Sequence, residues 1–300
     1  MAGIDLNRTS TGVADLLPKD VSDEIWSNAV GESVIMQAAR RINLPGGGVT
    51  IPLITGDASA DWVDETDEKP VSDSTLSSKS ITPYKIAVIE TFSNEFRRDL
   101  PAVYAELARR LPAALAARFD ATILHGTAPG SNFDVLSGSA AVAVDATDTL
   151  GDLVTALSTV AKAGGDVSHW LTSPQAEGLL MSAKDGSGNY AFLRDARTDS
   201  GSIGSLFGRQ VLKSRAVYSN PTDPAADVIG FAGDFANSAV WGSVEGVQVA
   251  VSDTATVNKG GTQLHLWQRN MFAIRAEIEV GFVVRDATHF VKLTGATTAP

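Results

Sequence analysis

The chain has 300 residues, 44% hydrophobic and 20% charged, with 35 acidic against 24 basic side chains and a net charge of −11. This is the composition of a folded globular protein with one large or two modest cores, and it excludes a whole-chain electrostatic grip on nucleic acid. There is no cysteine, which excludes disulfides, thiolate metal sites and cysteine nucleophiles; no signal-peptide pattern and no run of 18 apolar residues occurs, so neither export nor a membrane partner is expected.

In chain order, the first predicted element is a helix over Val21 to Ala39, where Ile25, Trp26, Ala29, Val30, Val34 and Ile35 recur at helical spacing. "NLPGGGVTIPLI" breaks it with Pro45 and three glycines and leads into a strand over Val49 to Ile54. "DWVDETDEKPVSDSTLSSKS", residues 61–80, holds six acids and two lysines with almost no apolar periodicity. "SITPYKIAVIETFSN" then returns as a second strand, so strand, polar excursion and strand describe a long hairpin whose arm need not touch its own core. From Asp99 a long helix is predicted on Leu100, Val103, Leu107, Leu111, Leu115, Phe119 and Ile123. Pro101 suits its first turn, Pro112 is expected to kink or break it, and Gly126 with Pro129 and Gly130 ends it.

After a loop and a short Ala/Val strand, "DTLGDLVTALSTVAKAGG" predicts a helix with Thr149 as N-cap, Asp152 three residues on and Gly164 as the stop. "HWLTSPQAEGLLMSA" predicts a strand, a Ser173 cap, Pro174 at the first helical position and a further helix. Helices alternating with strands to about residue 260 suggest an α/β subdomain. "FAIRAEIEVGFVV" alternates Ile274, Ala276, Ile278, Val280 and Phe282 with Arg275, Glu277 and Glu279, the pattern of a half-buried strand.

Chemistry is sparse. His125, His169, His265 and His289 are too scattered for a local metal motif, "GSIGSLFG" lacks the order of a phosphate cradle, and neither a Walker lysine nor a G-x-S-x-G elbow occurs. No catalytic residue, metal or cofactor is expected. Of the five tryptophans, Trp62 alone lies in the polar excursion, where a large aromatic with little apolar company points to packing against another chain.

The stretches "DEKPVSDSTLSSKSITPYKIAVIETFSNEFRRD" (67–99), "LLMSAKDGSGNYAF" (179–192), "GDFANSAVWG" (233–242) and "RNMFAIRAEIEVGFVVRDATHFVKL" (269–293), in that order and spacing, resemble the major capsid proteins of tailed double-stranded DNA bacteriophages, the Hong Kong 97-type fold. The resemblance spans nearly the whole chain. It implies an α+β fold with an N-terminal arm (1–48), an extended β-hairpin loop (49–92), a peripheral domain with a long spine helix (93–145 and 258–300) and an α/β axial domain (146–257). The implied function is a structural, non-enzymatic protein of the virion, made in the host bacterial cytoplasm, that self-assembles as hexamers and pentamers into an icosahedral shell. That shell encloses double-stranded DNA without sequence-specific binding. The implied partners are a portal protein, a decoration protein and a separate scaffolding protein, the last because the residues before 49 leave no room for a long scaffolding segment unless the chain is a processed one. An encapsulin-type compartment enclosing cargo enzymes shares the fold and is the alternative; a soluble α/β enzyme is the third class, set against the lack of any catalytic constellation.

The resemblance also implies inter-subunit contact at Trp62, Lys69 and Lys79. Some members of the family join a loop lysine to an asparagine with a glutamate promoting the reaction; Lys69 in "DEKP", Asn270 in "RNMF" and Glu277 match those positions. The reaction needs a neutral amine, a carboxamide and a carboxylate whose pKa is raised in apolar surroundings. Against it, Lys69 before Pro70 suits a loop tip, and Glu277 alternating with Arg275 and Glu279 suits a solvated strand face.

Overall fold

A computed structural model describes residues 27–54, 62–64, 69, 71, 76–95, 100–145, 147–184, 204–220 and 227–295. The predicted first helix is divided: α1 covers 27–32, Ser33 is extended at φ −82°, ψ 121°, and α2 covers Val34–Ala38, while Val21 to Trp26 lie outside the described residues. The break comes from Ser33, whose side chain caps α2 by accepting from the Met36 amide.

Two sheets carry the described body. The first holds β1 (Arg40–Asn43), β4 (Tyr84–Ser93), β10 (Ala239–Ser243), β11 (Gln248–Ser252) and β14 (Met271–Val284). β14 is its axis: it pairs antiparallel with β4 along ten residues on one side and with β11 and then β10 on the other. The long helix α3 (Leu100–Leu124) packs on this sheet, and its Leu111, Leu115, Phe119 and Ile123 join Ile274, Ala276, Ile278, Val280 and Phe282 of β14 in the main core. Each such large apolar side chain contributes roughly 1.5–3 kcal/mol on burial. Of the expected kink or break, no break occurs: α3 runs continuously through Pro112. Pro112 is itself buried beside Leu111, so packing offsets the lost N–H.

The second sheet runs in the order β5 (Ala140–Val144), β15 (Phe290–Gly295), β9 (Val228–Gly233), β6 (His169–Thr172), β8 (Arg209–Lys213) and β7 (Ser205–Leu206). Helices α4 (Thr149–Lys162) and α5 (Pro174–Ser182) bury Leu153, Ala156, Val160, Ala176 and Leu180 against it, around Trp170. Ser173 caps α5 and Pro174 opens it as predicted, and Gly164 at φ +88° closes α4. The N-cap of α4 is Asp148, one residue before the expected Thr149: its carboxylate accepts from the Gly151 amide, while Asp152 accepts from the Asp145 amide instead. Sheet membership crosses the expected domain limits. β5 and β15 hydrogen-bond into the sheet of the axial stretch, and β10 and β11 into the sheet of β14.

The returning strand is also divided. β2 (Val49–Ile54) pairs with β3 (Leu76–Ile81), and the chain then turns at Thr82 and Pro83 into β4, which belongs to the body. The hairpin proper is thus 49–81, and its second strand is the polar "LSSKSI" rather than "KIAVIETFS".

Candidate functional site

Two parts of the hairpin have opposite surroundings. At the root, Ile81 is fully buried in a small cluster with Leu44, Val240 and Val283, against which Val49 and Ile51 also pack. The contact is close: a Cβ on Gly281 would lie 2.8 Å from both Ile81 Cγ1 and the Thr82 carbonyl oxygen, so only glycine admits the root there. Gly48, at φ +82°, closes the preceding turn by donating its N–H to the Pro45 carbonyl at 2.8 Å.

Lys79, expected at a contact between subunits, is engaged within its own chain. Its ammonium donates to the Val284 carbonyl at 2.6 Å and lies 2.5 Å from the Asp134 carboxylate. Asp134 in turn accepts from the Val284 amide at 2.8 Å, and its own N–H donates to the Phe282 carbonyl. Root, loop after α3 and end of β14 are thereby tied at one point. Asp134 carried no signal in the sequence, because it sits in an irregular loop and its partners are remote along the chain.

Toward the tip the environment reverses. Trp62 has 102% relative exposure, Val63 is exposed beside it, Val71 has 90% and Lys69 is exposed as well. Burying a side chain as large as Trp62 is worth several kcal/mol, and this chain leaves that unrealised.

Asn270 ends a 3-10 turn in the left-handed conformation, φ 52°, ψ 51°, immediately before β14. Asn is among the few residues that tolerate it. Its side-chain oxygen accepts from the Asn94 amide nitrogen at 2.8 Å, and its carbonyl from the Asn94 backbone N–H at 2.9 Å, which presents an oriented carboxamide on an exposed turn. Glu277 lies within β14 opposite Gln248 and Ala87, so the seven-residue separation spans about 23 Å of strand. One chain does not bring the two together. Within the single chain Glu277 has polar neighbours rather than the apolar surroundings the reaction needs: Arg275 Nε is 3.5 Å from it, and it shares a depression of about 130 Å³ with Glu245, Gln248 and Glu279.

A second anchor that the sequence did not disclose holds α2. Asp120 of α3, 1% exposed, accepts from the Ser33 hydroxyl at 2.6 Å, from the Val34 amide at 3.0 Å and from the Ile35 amide at 3.4 Å. Burial pushes its carboxyl up to about 6, and the three donors oppose that rise. An aspartate on the apolar side of a helix was the available signal. Among the described residues, no group of three or more His, Asp or Glu side chains is arranged to hold a metal, and no helix is long and apolar enough to cross a membrane.

The model of the phage capsid family matches residues 13–295 of the chain. The probable major capsid protein gp17 of Mycobacterium phage L5 is 34% identical over 296 residues, covering 93% of this chain and 89% of the relative. Its counterpart in Mycobacterium phage D29 is 31% identical, with 94% and 91% covered. Among solved structures, a chain from Gordonia phage Cozz superposes with a TM-score of 0.71 at 23% identity, covering 89% of this chain and 87% of that one.

Proposed function

Because this chain belongs to the phage capsid family and is a major capsid protein of the Hong Kong 97-type fold, we propose that it closes into hexamers and pentamers through its hairpin, whose root belongs to one subunit and whose tip is completed by the next. The observation that carries this is the contrast between buried Ile81 and Trp62 at 102% exposure on one hairpin. An encapsulin-type compartment is not favoured, since the relatives are phage capsid proteins. The virion is the protein's place; synthesis in the host cytoplasm belongs to the proposal, as do the absence of catalytic turnover and the axial and peripheral roles of the two sheets. A scaffolding protein, a portal protein and a decoration protein complete the proposed set of partners, tested by co-purification from infected cells.

The test is assembly itself. Purified protein examined by light scattering and electron microscopy forms capsomers or closed shells, and removal of residues 57–74 abolishes them while the circular dichroism of the subunit persists. A full-length chain that stays monomeric under all assembly conditions would end the proposal. With a net charge of −11, subunits bind DNA weakly and without sequence preference; sequence-dependent retention in a mobility-shift assay at physiological salt contradicts this.

Covalent stapling is the second part of the reading. Neutral Lys69 Nζ of one subunit attacks the side-chain carbonyl carbon of Asn270 in another; the new C–N bond replaces the bond to Nδ2, which leaves as ammonia. Glu277 from a third position accepts and returns the proton. The hydrogen bond from Asn94 to the Asn270 oxygen supports this, because it orients and polarises the carboxamide. Since Glu277 has Arg275 and two carboxylates around it in the single chain, neighbouring subunits would have to supply the apolar enclosure. Boiled particles on a denaturing gel give a ladder that Lys69→Ala removes; one band at the 31.4 kDa monomer excludes the bond.

A further inference from the structure

Asn94 and Asn270 stand one step beyond the β4–β14 ladder, whose last rung sets Ser93 opposite Met271 and which is clamped next to it by Phe92 stacked on Phe272 at 5.6 Å. The turn before β14 closes on Leu266. The Asn270 N–H donates to the Trp267 carbonyl at 3.3 Å and the Met271 N–H to the Leu266 carbonyl at 3.0 Å, with Asn270 left-handed between them. Glycine is the usual residue at such a position, so an asparagine there keeps a side chain that the turn itself does not need. That side chain is on an exposed residue, and Asn94 holds it through the carboxamide while also bonding the Asn270 backbone.

Asn94 is half-buried, and its Oδ1 is enclosed without a hydrogen-bond partner among the described residues. Leaving an enclosed acceptor unpaired costs stability, and here the cost is borne while Nδ2 is kept on the Asn270 oxygen at 2.8 Å. An amine that attacks the Asn270 side-chain carbon drives negative charge onto that oxygen, and a donor already in place binds the charged oxygen more strongly than the neutral one. The chain also contains a nearer nucleophile, the Met271 nitrogen, whose attack on the same carbon would close a succinimide ring and expel ammonia. Its N–H is tied to Leu266, which holds that nitrogen in the turn.

We propose that Asn94 is the positioning residue that makes Asn270 the electrophile for a lysine amine of another subunit, while the turn on Leu266 keeps the same carbon from its own backbone. This rests on the stapling reading and adds the group that carries the charge of the step. The amine nitrogen bonds to Cγ, and the carbonyl electron pair moves to Oδ1, where Asn94 Nδ2–H holds it. The pair returns as the bond to Asn270 Nδ2 breaks, and ammonia leaves with a proton from the amine.

The test follows the rate at which the ladder of linked subunits appears in assembled particles. Asn94→Ala and Asn94→Asp each slow it roughly 10²-fold at about pH 8. As pH falls toward about 4, the rate of Asn94→Asp relative to the parent chain rises, because the protonated carboxyl regains a donor, whereas that of Asn94→Ala stays flat. The neutral fraction of the lysine falls alike in all three and cancels from the ratio. A ladder as fast as the parent's, or a ratio for Asn94→Asp that does not move with pH, overturns the role and leaves stapling standing; a parent chain that gives no ladder overturns both. Mosaic shells cover the case in which a variant does not assemble alone. Isotopically labelled variant subunits are mixed with an excess of unlabelled parent, and mass spectrometry of the Asn270 peptides shows the variant's Asn270 linked at least tenfold less than the parent's; equal use of the two overturns the role.

Discussion

The root of the hairpin and the described residues between its two strands belong to one excursion of the chain, yet the root is packed on the body while those residues are exposed. Ile81 is fully buried and Lys79 is bonded to Val284 and Asp134, whereas Trp62, Lys69 and Val71 are exposed. On the proposed reading the root serves subunit stability and the tip serves assembly, a partner subunit supplying the burial that a polar arm cannot find in its own chain.

Substitutions can break this division. Ile81→Ala carries the largest expected effect, about 3 kcal/mol of subunit stability, because it opens a cavity against Gly281 where the sheet cannot collapse. Urea unfolding of the unassembled subunit measures it, and a loss under about 1 kcal/mol would show that the root does not belong to the body.

The anchor on α2 adds a pH test of similar size. The folded-state pKa of Asp120, about 6, lies above the ordinary carboxylate value, so its contribution to stability is fully present below pH ~4 and is lost as pH rises through ~6, up to roughly 3 kcal/mol. Asp120→Asn removes that dependence. The stability of the variant relative to wild type therefore rises between pH 4 and pH 6, measured by thermal unfolding across that window; a constant difference contradicts the assignment.

Lys79→Met is expected to cost less, about 1 kcal/mol, because the pair with Asp134 is partly exposed and salt screens it. The loss shrinks at high salt in the same unfolding assay. Trp62→Ala sharpens the comparison from the other side. It changes subunit unfolding by less than about 0.5 kcal/mol, as expected for an exposed position, yet reduces shell yield in micrographs. Destabilisation of the isolated subunit by this variant would place the tip within its own core.

Much of the fold was legible where the signal is local. The alternation in "IRAEIEV" appears as alternating burial over 274–280, the Ser173 cap and Pro174 open α5, and Gly164 ends α4. The misread elements share one cause. Over 280–284 β14 is buried on both faces, because Ile81 and Leu44 cover the side that the pattern leaves to solvent beyond it. Pro112 is tolerated because the helix is packed there, and "LSSKSI" pairs as a strand without apolar content because its partner is β2. Of the candidate site, exposure at Trp62 and Lys69 was readable from composition, while the inward bonding of Lys79 was not.

By itself the sequence determined the order of elements, the polar arm and the apolar faces of α3 and β14, because caps, breakers and periodicity act over a few residues. The tertiary structure alone decided that β4 lies along β14, that Asp134 collects Lys79 and Val284, and that Asp120 holds the start of α2. These contacts join groups up to 205 positions apart, and no local preference encodes which remote partner a polar side chain will meet. That choice follows from how the sheets and α3 close on a common core, which buries Ile81 at the root of the hairpin and leaves Trp62 exposed.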